Sequence, residues 1–299
     1  MSVLVVGSTG LDNVETPSGK ISNALGGSAF YAATASSFFA STALLGIVGD
    51  DFPRKHIDFL RRRKIDLSGL EVVSGGKTFR WSGKYHQDLN TRDTLDLQLN
   101  TFLQFAPRLN DQARKKKFLF LANIDPELHL QVLAQIQRPQ FVLADTMDHW
   151  IKTKSKALSS LRRKIDAFVL NDSEARLLTG EDNLIRAAKA VRKMGPKIVL
   201  IKKGEHGALL FQGEEIFSAP AFPLPEVVEP TGAGDTFAGA FIGHLAGKKV
   251  SPTELRKAVL YGTVVASFTC EAFSVEKLKR IGGKHIQDRA RQLIRMARV

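Results

Sequence analysis

Between Lys117 and Lys202 one unit recurs: an apolar run, a polar residue at its end, then a helix-forming stretch. The runs are Lys117-Phe118-Leu119-Phe120-Leu121-Ala122, Phe141-Val142-Leu143-Ala144-Asp145, Ala167-Phe168-Val169-Leu170-Asn171 and Lys197-Ile198-Val199-Leu200-Ile201-Lys202. Helices are expected over 126–137, 148–162, 173–179 and 182–194. A strand that is apolar at every position has both faces covered, and helical connections let neighbouring strands run parallel. The chain is therefore expected to be an α/β protein around a mostly parallel sheet. Asn123, Asp145, Asn171 and Lys202 or Lys203 all fall at strand carboxyl ends. Open α/β sheets bind ligands along that edge, so a row of polar residues there suggests a site.

The segments on either side extend this pattern. Val3-Leu4-Val5-Val6 reads as a buried strand ended by Gly7-Ser8-Thr9-Gly10, with Asp12 just beyond it. This turn lacks the third glycine of a dinucleotide fingerprint, and no acid lies about 20 residues on, which argues against NAD binding. Residues 14–25 are polar and irregular in pattern. Gly26-Gly27 then opens a helix of small residues, where a ligand could approach the backbone closely. Ser41 to Val48 is a strand, and Asp51 with Pro53 is expected to start a helix running to about Lys64. From Leu70 to about Phe105 the pattern becomes one of short alternating strands without a strong helix between them. This reads as an antiparallel insertion in which Trp81, Tyr85, His86 and Arg92 cluster as a lid. A hairpin over 207–217, a helix over 253–271 and a basic helix near 285–298 complete the chain. No repeat or flexible linker divides it, so residues 1–299 are expected to form one domain, with a lid from about 75–105 and part of 14–22.

The stretch with most chemical content is Thr231-Gly232-Ala233-Gly234-Asp235-Thr236. Phe237, Phe241 and Leu245 follow at four-residue spacing and mark a helix. A glycine turn entering a helix exposes unpaired N–H groups at the positive end of the helix dipole, which attracts anions. An acid on that first turn can complement the dipole, or accept a proton beside a bound anion. The second role is what phosphoryl transfer needs.

The charge is +13, from 43 basic and 30 acidic residues. Much of the excess lies in short runs: Arg61-Arg62-Arg63-Lys64, Arg114-Lys115-Lys116-Lys117, Arg162-Arg163-Lys164 and the tail from Lys277. These are scattered along the chain and read as solvated surface. No apolar run reaches the roughly 18 residues of a membrane helix. The amino terminus enters a strand pattern with no basic leader, and the single cysteine, Cys270, cannot form an internal disulfide. A cytoplasmic protein is expected.

Taken together, these motifs resemble the ribokinase-like, or PfkB, family of carbohydrate and nucleoside kinases over nearly the whole chain. Three pieces carry the resemblance: Gly26-Gly27 before an early helix, Asn171-Asp172-Ser173-Glu174, and Gly232-Ala233-Gly234-Asp235-Thr236. The stretch Lys202 to Ala208 is similar to the family's nucleotide-side strand and turn. The resemblance implies a three-layer fold with a small antiparallel β lid, and transfer of phosphate from ATP to a hydroxymethyl group of a sugar or nucleoside. It implies Asp235 as the base and the amides of Gly232, Ala233 and Gly234 as the anion hole. Asn171, Glu174, Lys202, Gly204 and Gly207 would serve ATP, with Glu174 reaching Mg²⁺ through water. Asp12, Gly26, Gly27, Ser28, Tyr31, Trp81, Arg92 and Asn123 would face the acceptor.

A monovalent cation such as K⁺ and a homodimer through the lid are also within the family's habits. No membrane and no nucleic acid are expected as partners. Ser28 and Tyr31 stand where ribokinase has a lysine and an asparagine, Gly10 replaces another asparagine, and Asn123 falls near the place of a substrate-side glutamate. Ribose is therefore in doubt as the acceptor. A nucleoside could stack on Trp81 or Tyr85, and a sugar phosphate could meet Arg80, Lys84 or Arg92. Glu229-Pro230 replaces the more usual Asp-Thr before the anion hole. A retired kinase fold acting as a regulatory or nucleic-acid-binding protein is the alternative from another class.

Overall fold

The computed structural model describes residues 2–298. The chain begins with β1 (Ser2–Val6), β2 (Gly10–Thr16), β3 (Gly19–Gly26), α1 (Ser28–Ser36), β4 (Ser41–Gly49), α2 (Arg54–Arg62) and β5 (Asp66–Val73). It continues through β6 (Phe79–Tyr85), β7 (Arg92–Gln98), α3 (Asp111–Arg114), β8 (Phe118–Leu121), α4 (Pro126–Gln135), β9 (Phe141–Asp145), α5 (Asp148–Thr153) and α6 (Ser155–Arg162). Then come β10 (Ala167–Asn171), α7 (Asp172–Thr179), α8 (Leu184–Lys193), β11 (Ile198–Lys202), β12 (Ala208–Gln212) and β13 (Glu215–Ala219). It ends with α9 (Ala233–Leu245), α10 (Pro252–Thr269), α11 (Glu276–Arg280) and α12 (Gly283–Met296).

The large sheet has nine strands in the order β13-β12-β11-β10-β9-β8-β1-β4-β5. All neighbours from β5 to β11 are parallel, and the β12–β13 hairpin adds two antiparallel strands at one edge. The alternation of side chains explains the layers. Val3 and Val5 of β1 face a core shared with α1, α9 and α10, whereas Leu4 and Val6 face a second core shared with α4, α6 and α8. The small residues of α1 and α9 allow close approach: a Cβ on Gly239 would stand 2.2 Å from the Ala32 carbonyl.

The second sheet has four strands in the order β3-β2-β6-β7. Its outer pairs are antiparallel, and β2 and β6 meet in parallel. Residues 14–25, expected to be irregular, supply half of it. Their polar pattern hid two strands because this small sheet leaves much of β3 in solvent, so no apolar run was required. Val72 and Val73 belong to β5 at the edge of the large sheet, outside the insertion. The helix expected over 148–162 breaks at Lys154 into α5 and α6. Asp51 does not cap α2: its Oδ1 accepts from the Thr78 amide at 2.7 Å, and its Oδ2 pairs with Arg80 at 2.9 Å. No described helix is long and apolar enough to cross a membrane.

Candidate active site

Parallel topology places the carboxyl ends of β1, β8, β9, β10 and β11 on one edge, and α9 starts at that edge. Gly232 caps α9 in the left-handed region, at φ +75°. Its missing Cβ leaves room for the ring of Tyr31, which would lie 2.4 Å from such an atom. The Ala233 amide donates to the Pro230 carbonyl at 3.1 Å and closes the turn. The three amides expected to act together are thus divided. Among the described residues, the Gly232 and Gly234 amides meet no protein acceptor.

Charged groups converge on this loop. Lys202, at the end of β11, has its Nζ 3.1 Å from where a Cβ of Gly234 would sit. The same Nζ donates to Asp145 Oδ2 at 3.0 Å, and Asp145 is 3% exposed at the end of β9. Burial acts to lower Lys202, but Asp145, Glu174 and Asp235 outweigh it and hold the ammonium group above its ordinary range. Burial, then Asp145, pushes Asp235 up to about 7, against the pull of Lys202 and Arg92. Burial pushes Glu174 up to about 7, again opposed by Lys202. A carboxylate held near neutrality at a helix start is suited to accept a proton.

Asn171 and Glu174 form a capping box on α7. Asn171 Oδ1 accepts from the Glu174 amide at 2.7 Å, and Glu174 Oε2 accepts from the Asn171 amide at 2.7 Å. The motif thus orders the helix start that stands next to Lys202, its register partner across β10–β11. Gly204 and Gly207 make the turn after β11, at φ +55° and +81°. Gly204 lies under the lid tip, 3.7 Å (from its missing Cβ) to Asn90 Oδ1, while Gly207 packs inward against the Ala219 carbonyl.

On the other side of Asp235, Asp12 is 4% exposed, and a Cβ on Gly26 would collide with its carboxyl group at 2.1 Å. Burial, then Glu229 and Asp235, pushes Asp12 up to about 8, while a hydrogen bond from the Gly27 amide opposes this. These residues therefore come together as the motif reading requires. Other expected acceptor residues have structural partners. Ser28 Oγ accepts from the Ser8 amide at 3.1 Å and donates to the Asn123 carbonyl at 3.1 Å, tying β1 to β8. Asn123 Oδ1 accepts from Trp150 Nε1 at 3.0 Å. Tyr31 is 1% exposed beneath the Gly232 loop, so it supports the anion site from below and does not face open space.

The lid supplies Trp81 on β6, in register with Asp12, and its Nε1 donates to Thr94 Oγ1 at 3.2 Å. Of the three lid cations considered for a phosphate, Arg80 is held by Asp51 and Asn23, and Lys84 by Glu15. Arg92 has no ion-pair partner among the described residues; its guanidinium lies 5.8 Å from the Trp81 ring, and its charge reaches Asp235.

Three contributors were not singled out as site residues in the sequence. Asp145 was visible as a strand-end acid, but nothing local marked it as the partner of Lys202. Glu229 is 1% exposed, and its two carboxylate oxygens accept from the amides of Thr231 and Ser274 at 2.9 and 2.8 Å. It fastens the anion loop to the segment after α10. Tyr85 of the lid accepts a hydrogen bond from Thr231 Oγ1 at 3.0 Å, which joins lid and anion loop across 146 residues of sequence. No cluster of three or more His, Cys, Asp or Glu able to hold a metal exists among the described residues.

Residues 2–279 match the model of the pfkB family carbohydrate kinases. A cytidine kinase of Thermococcus kodakarensis is 27% identical over 255 residues, which span 83% of this chain and 90% of that one. A nucleoside kinase of Methanocaldococcus jannaschii is 24% identical over 78% of this chain and 74% of its own. The crystal structure of the latter organism's nucleoside kinase superposes with a TM-score of 0.77 at 18% identity, covering 97% of this chain and 98% of the other. Arabidopsis thaliana ribokinase, complexed with ribose and ATP, gives 0.75 at 21% identity, covering 97% and 98%. These structures speak for the fold.

Proposed function

This chain belongs to the pfkB carbohydrate kinase family, and from that premise we propose that it phosphorylates a hydroxymethyl group of a nucleoside, with Asp235 as the base. The observation that carries the reading is Asp235 itself: a carboxyl group on the first turn of α9, held near 7, beside two open amides and Lys202. The acceptor hydroxyl gives its proton to Asp235 as its oxygen attacks the γ-phosphorus. The bond from that phosphorus to the β-phosphate bridging oxygen breaks, and ADP leaves. The Gly232 and Gly234 amides and Lys202 face the charge on the transferred group.

The residues fit magnesium-bound ATP. Amides and an ammonium group suit phosphate oxygens, while Asp145 and Glu174 supply nearby negative charge that a divalent cation offsets. Asn171 orders Glu174, which would reach the metal through water. Mg²⁺, when bound, neutralises the phosphate chain. Glu229 ties Thr231 to Ser274 across the segments that flank the loop.

A nucleoside is favoured as acceptor because the relatives just described that align over most of their length are a cytidine kinase and a nucleoside kinase. In this reading Asp12, with Gly26 and Gly27, would hold a ribose diol, and Trp81 and Arg92 of the lid would cover it. A sugar phosphate is the second reading, resting on Arg92 alone. Asp235, the glycines and Lys202 come together at one strand edge, which argues against a retired kinase. The test is ATP turnover with cytidine, adenosine, inosine, ribose and fructose 6-phosphate. A nucleoside is expected to exceed both sugars by about 100-fold in kcat/KM. Preference for fructose 6-phosphate would overturn the acceptor and leave the base intact.

We also propose a homodimer through the lid. The edge strand β7 has no neighbour beyond it, and Leu95 and Leu97 on it are 61% and 54% exposed. Light scattering is expected to give twice the 32.9 kDa chain mass, and Leu95→Lys with Leu97→Lys to return a monomer. A wild-type monomer at working concentration would reject the pairing.

A further inference from the structure

The basic runs that look scattered in the sequence are collected by the topology. Strands β5, β4, β1, β8, β9, β10 and β11 are mutually parallel, so residues just before each strand share one edge of the sheet. That edge is opposite the one carrying Asp235 and Lys202. Run 61–64 precedes β5, run 114–117 precedes β8, Arg138 precedes β9, run 162–164 precedes β10, and Lys193 and Lys197 precede β11. Among the described residues, none of these cations is within ion-pair distance of a carboxylate. Lys84, Lys154 and Lys202, away from this edge, each have an acidic partner. The acids at the basic edge are few: Asp66, Asp111, Asp166, Glu214 and Glu215, the last paired with Arg256 at 2.7 Å. Of these, Asp166 Oδ2 accepts from the Val142 amide. At the β11 end the surface deepens into a groove of about 600 Å³ lined by Lys189, Arg192, Lys193 and Lys197, with Glu214 at its rim.

We propose that this edge binds the phosphodiester backbone of double-stranded nucleic acid. Arg63, Arg114, Lys117 and Arg192 donate to Ser37 and to the carbonyls of Leu109, Arg138 and Gly213, yet none has a carboxylate partner, so these like charges gain from any partner that supplies regularly spaced anions. The cations stand before five of the seven strands: before β8, β9, β10 and β11, a stretch of about 14 Å at about 4.8 Å spacing, and before β5, about 14 Å further on beyond β1 and β4, so that the row spans about 29 Å, close to one turn of a duplex with a phosphate every 3.4 Å or so along each strand. The exposed large apolar side chains of the protein, such as Leu95, Leu103 and Met296, lie outside these runs. An anionic membrane would call for apolar insertion beside the charge, and single strands for exposed aromatic rings to stack on. The runs contain neither, so contact through phosphates alone is what the surface offers, without base reading.

The test uses the whole protein and a fluorescent 20-base-pair duplex, read by anisotropy against salt. Binding is expected to weaken along a log–log line with a slope of about −4 or steeper, as counterions are released. Reversing Lys115, Lys116, Arg163 and Lys193 to Glu should cost about 100-fold or more in affinity and flatten the slope by about 0.9 per lost phosphate contact. Reversing Lys284, Arg291, Arg295 and Arg298 on α12 makes the same change in net charge and should alter affinity by less than about 3-fold. ATP turnover and the thermal midpoint of each variant report that the fold is intact. If the quadruple reversal does not fold, Lys116→Gln and Lys193→Gln carry the same comparison. Equal losses from both sets of reversals would overturn the proposal, because net charge would then act without this edge. So would absence of duplex binding at 50 mM salt, or binding to phosphatidylserine vesicles through the same residues without duplex binding.

Discussion

Asp235→Asn is expected to lower turnover by about 10³-fold and, at pH 8, to raise the thermal midpoint of the ligand-free protein. The two effects share a cause. Burial and the neighbouring Asp145 raise the Asp235 carboxyl from an ordinary 3.8 to about 7. The native state therefore keeps a proton that the unfolded chain loses above about pH 4. Stability from this group is complete below that point and is lost as pH rises through about 7. Asparagine does not ionise, so the variant escapes the loss. It also cannot accept the acceptor's proton. For the unchanged protein, kcat/KM should rise with pH to a midpoint near 7 as Asp235 gains its charge. The variant should lack that limb. Steady-state rates from pH 5 to 9, with unfolding curves at pH 5 and 8, check both halves. A variant within about 10-fold of normal turnover would remove Asp235 from the role of base.

Gly232→Ala should damage the active site strongly. At φ +75° an alanine is strained by about 1 kcal/mol relative to glycine. The new Cβ would also stand 2.4 to 2.5 Å from three ring carbons of Tyr31. Tyr31, on α1, is 1% exposed against the start of α9, and its ring has no space to retreat into. The loop must shift instead, taking the Gly232 and Gly234 amides with it. A displacement on the order of 1 Å at a site of phosphoryl transfer reduces kcat by about 10²-fold. A lowered thermal midpoint should accompany this. Tyr31→Leu in the same chain gives the methyl group room, so the double variant should be more stable than Gly232→Ala alone. Additive losses in the double variant would mean that the ring contact is not the source of the damage.

How much of this could be read from the sequence depended on the range of the interaction. β9 and β10 were legible residue for residue, because full burial demands apolar side chains at every position. The glycine loop and Asp235 were legible because a left-handed turn and a helix start have local requirements. The strands at 10–26 were not, since a small half-exposed sheet can be built from polar residues such as Asn13, Glu15 and Lys20. Ser28 and Asn123 were expected to face the acceptor, but their hydrogen bonds go to Ser8 and Trp150, which no spacing along the chain predicts.

The sequence by itself determined the layered α/β architecture and the local form of the glycine loop that opens the helix carrying Asp235. Each of these is set by periodicity or by residues adjacent in the chain. Tertiary structure alone decided that Asp145 faces Lys202, that Glu229 and Tyr85 hold the anion loop from two sides, and that separate basic runs form one edge. Those pairings join segments tens to more than a hundred residues apart. Their energy comes from burial and from charge in proximity, which exist only once the parallel sheet has brought the strand ends into line.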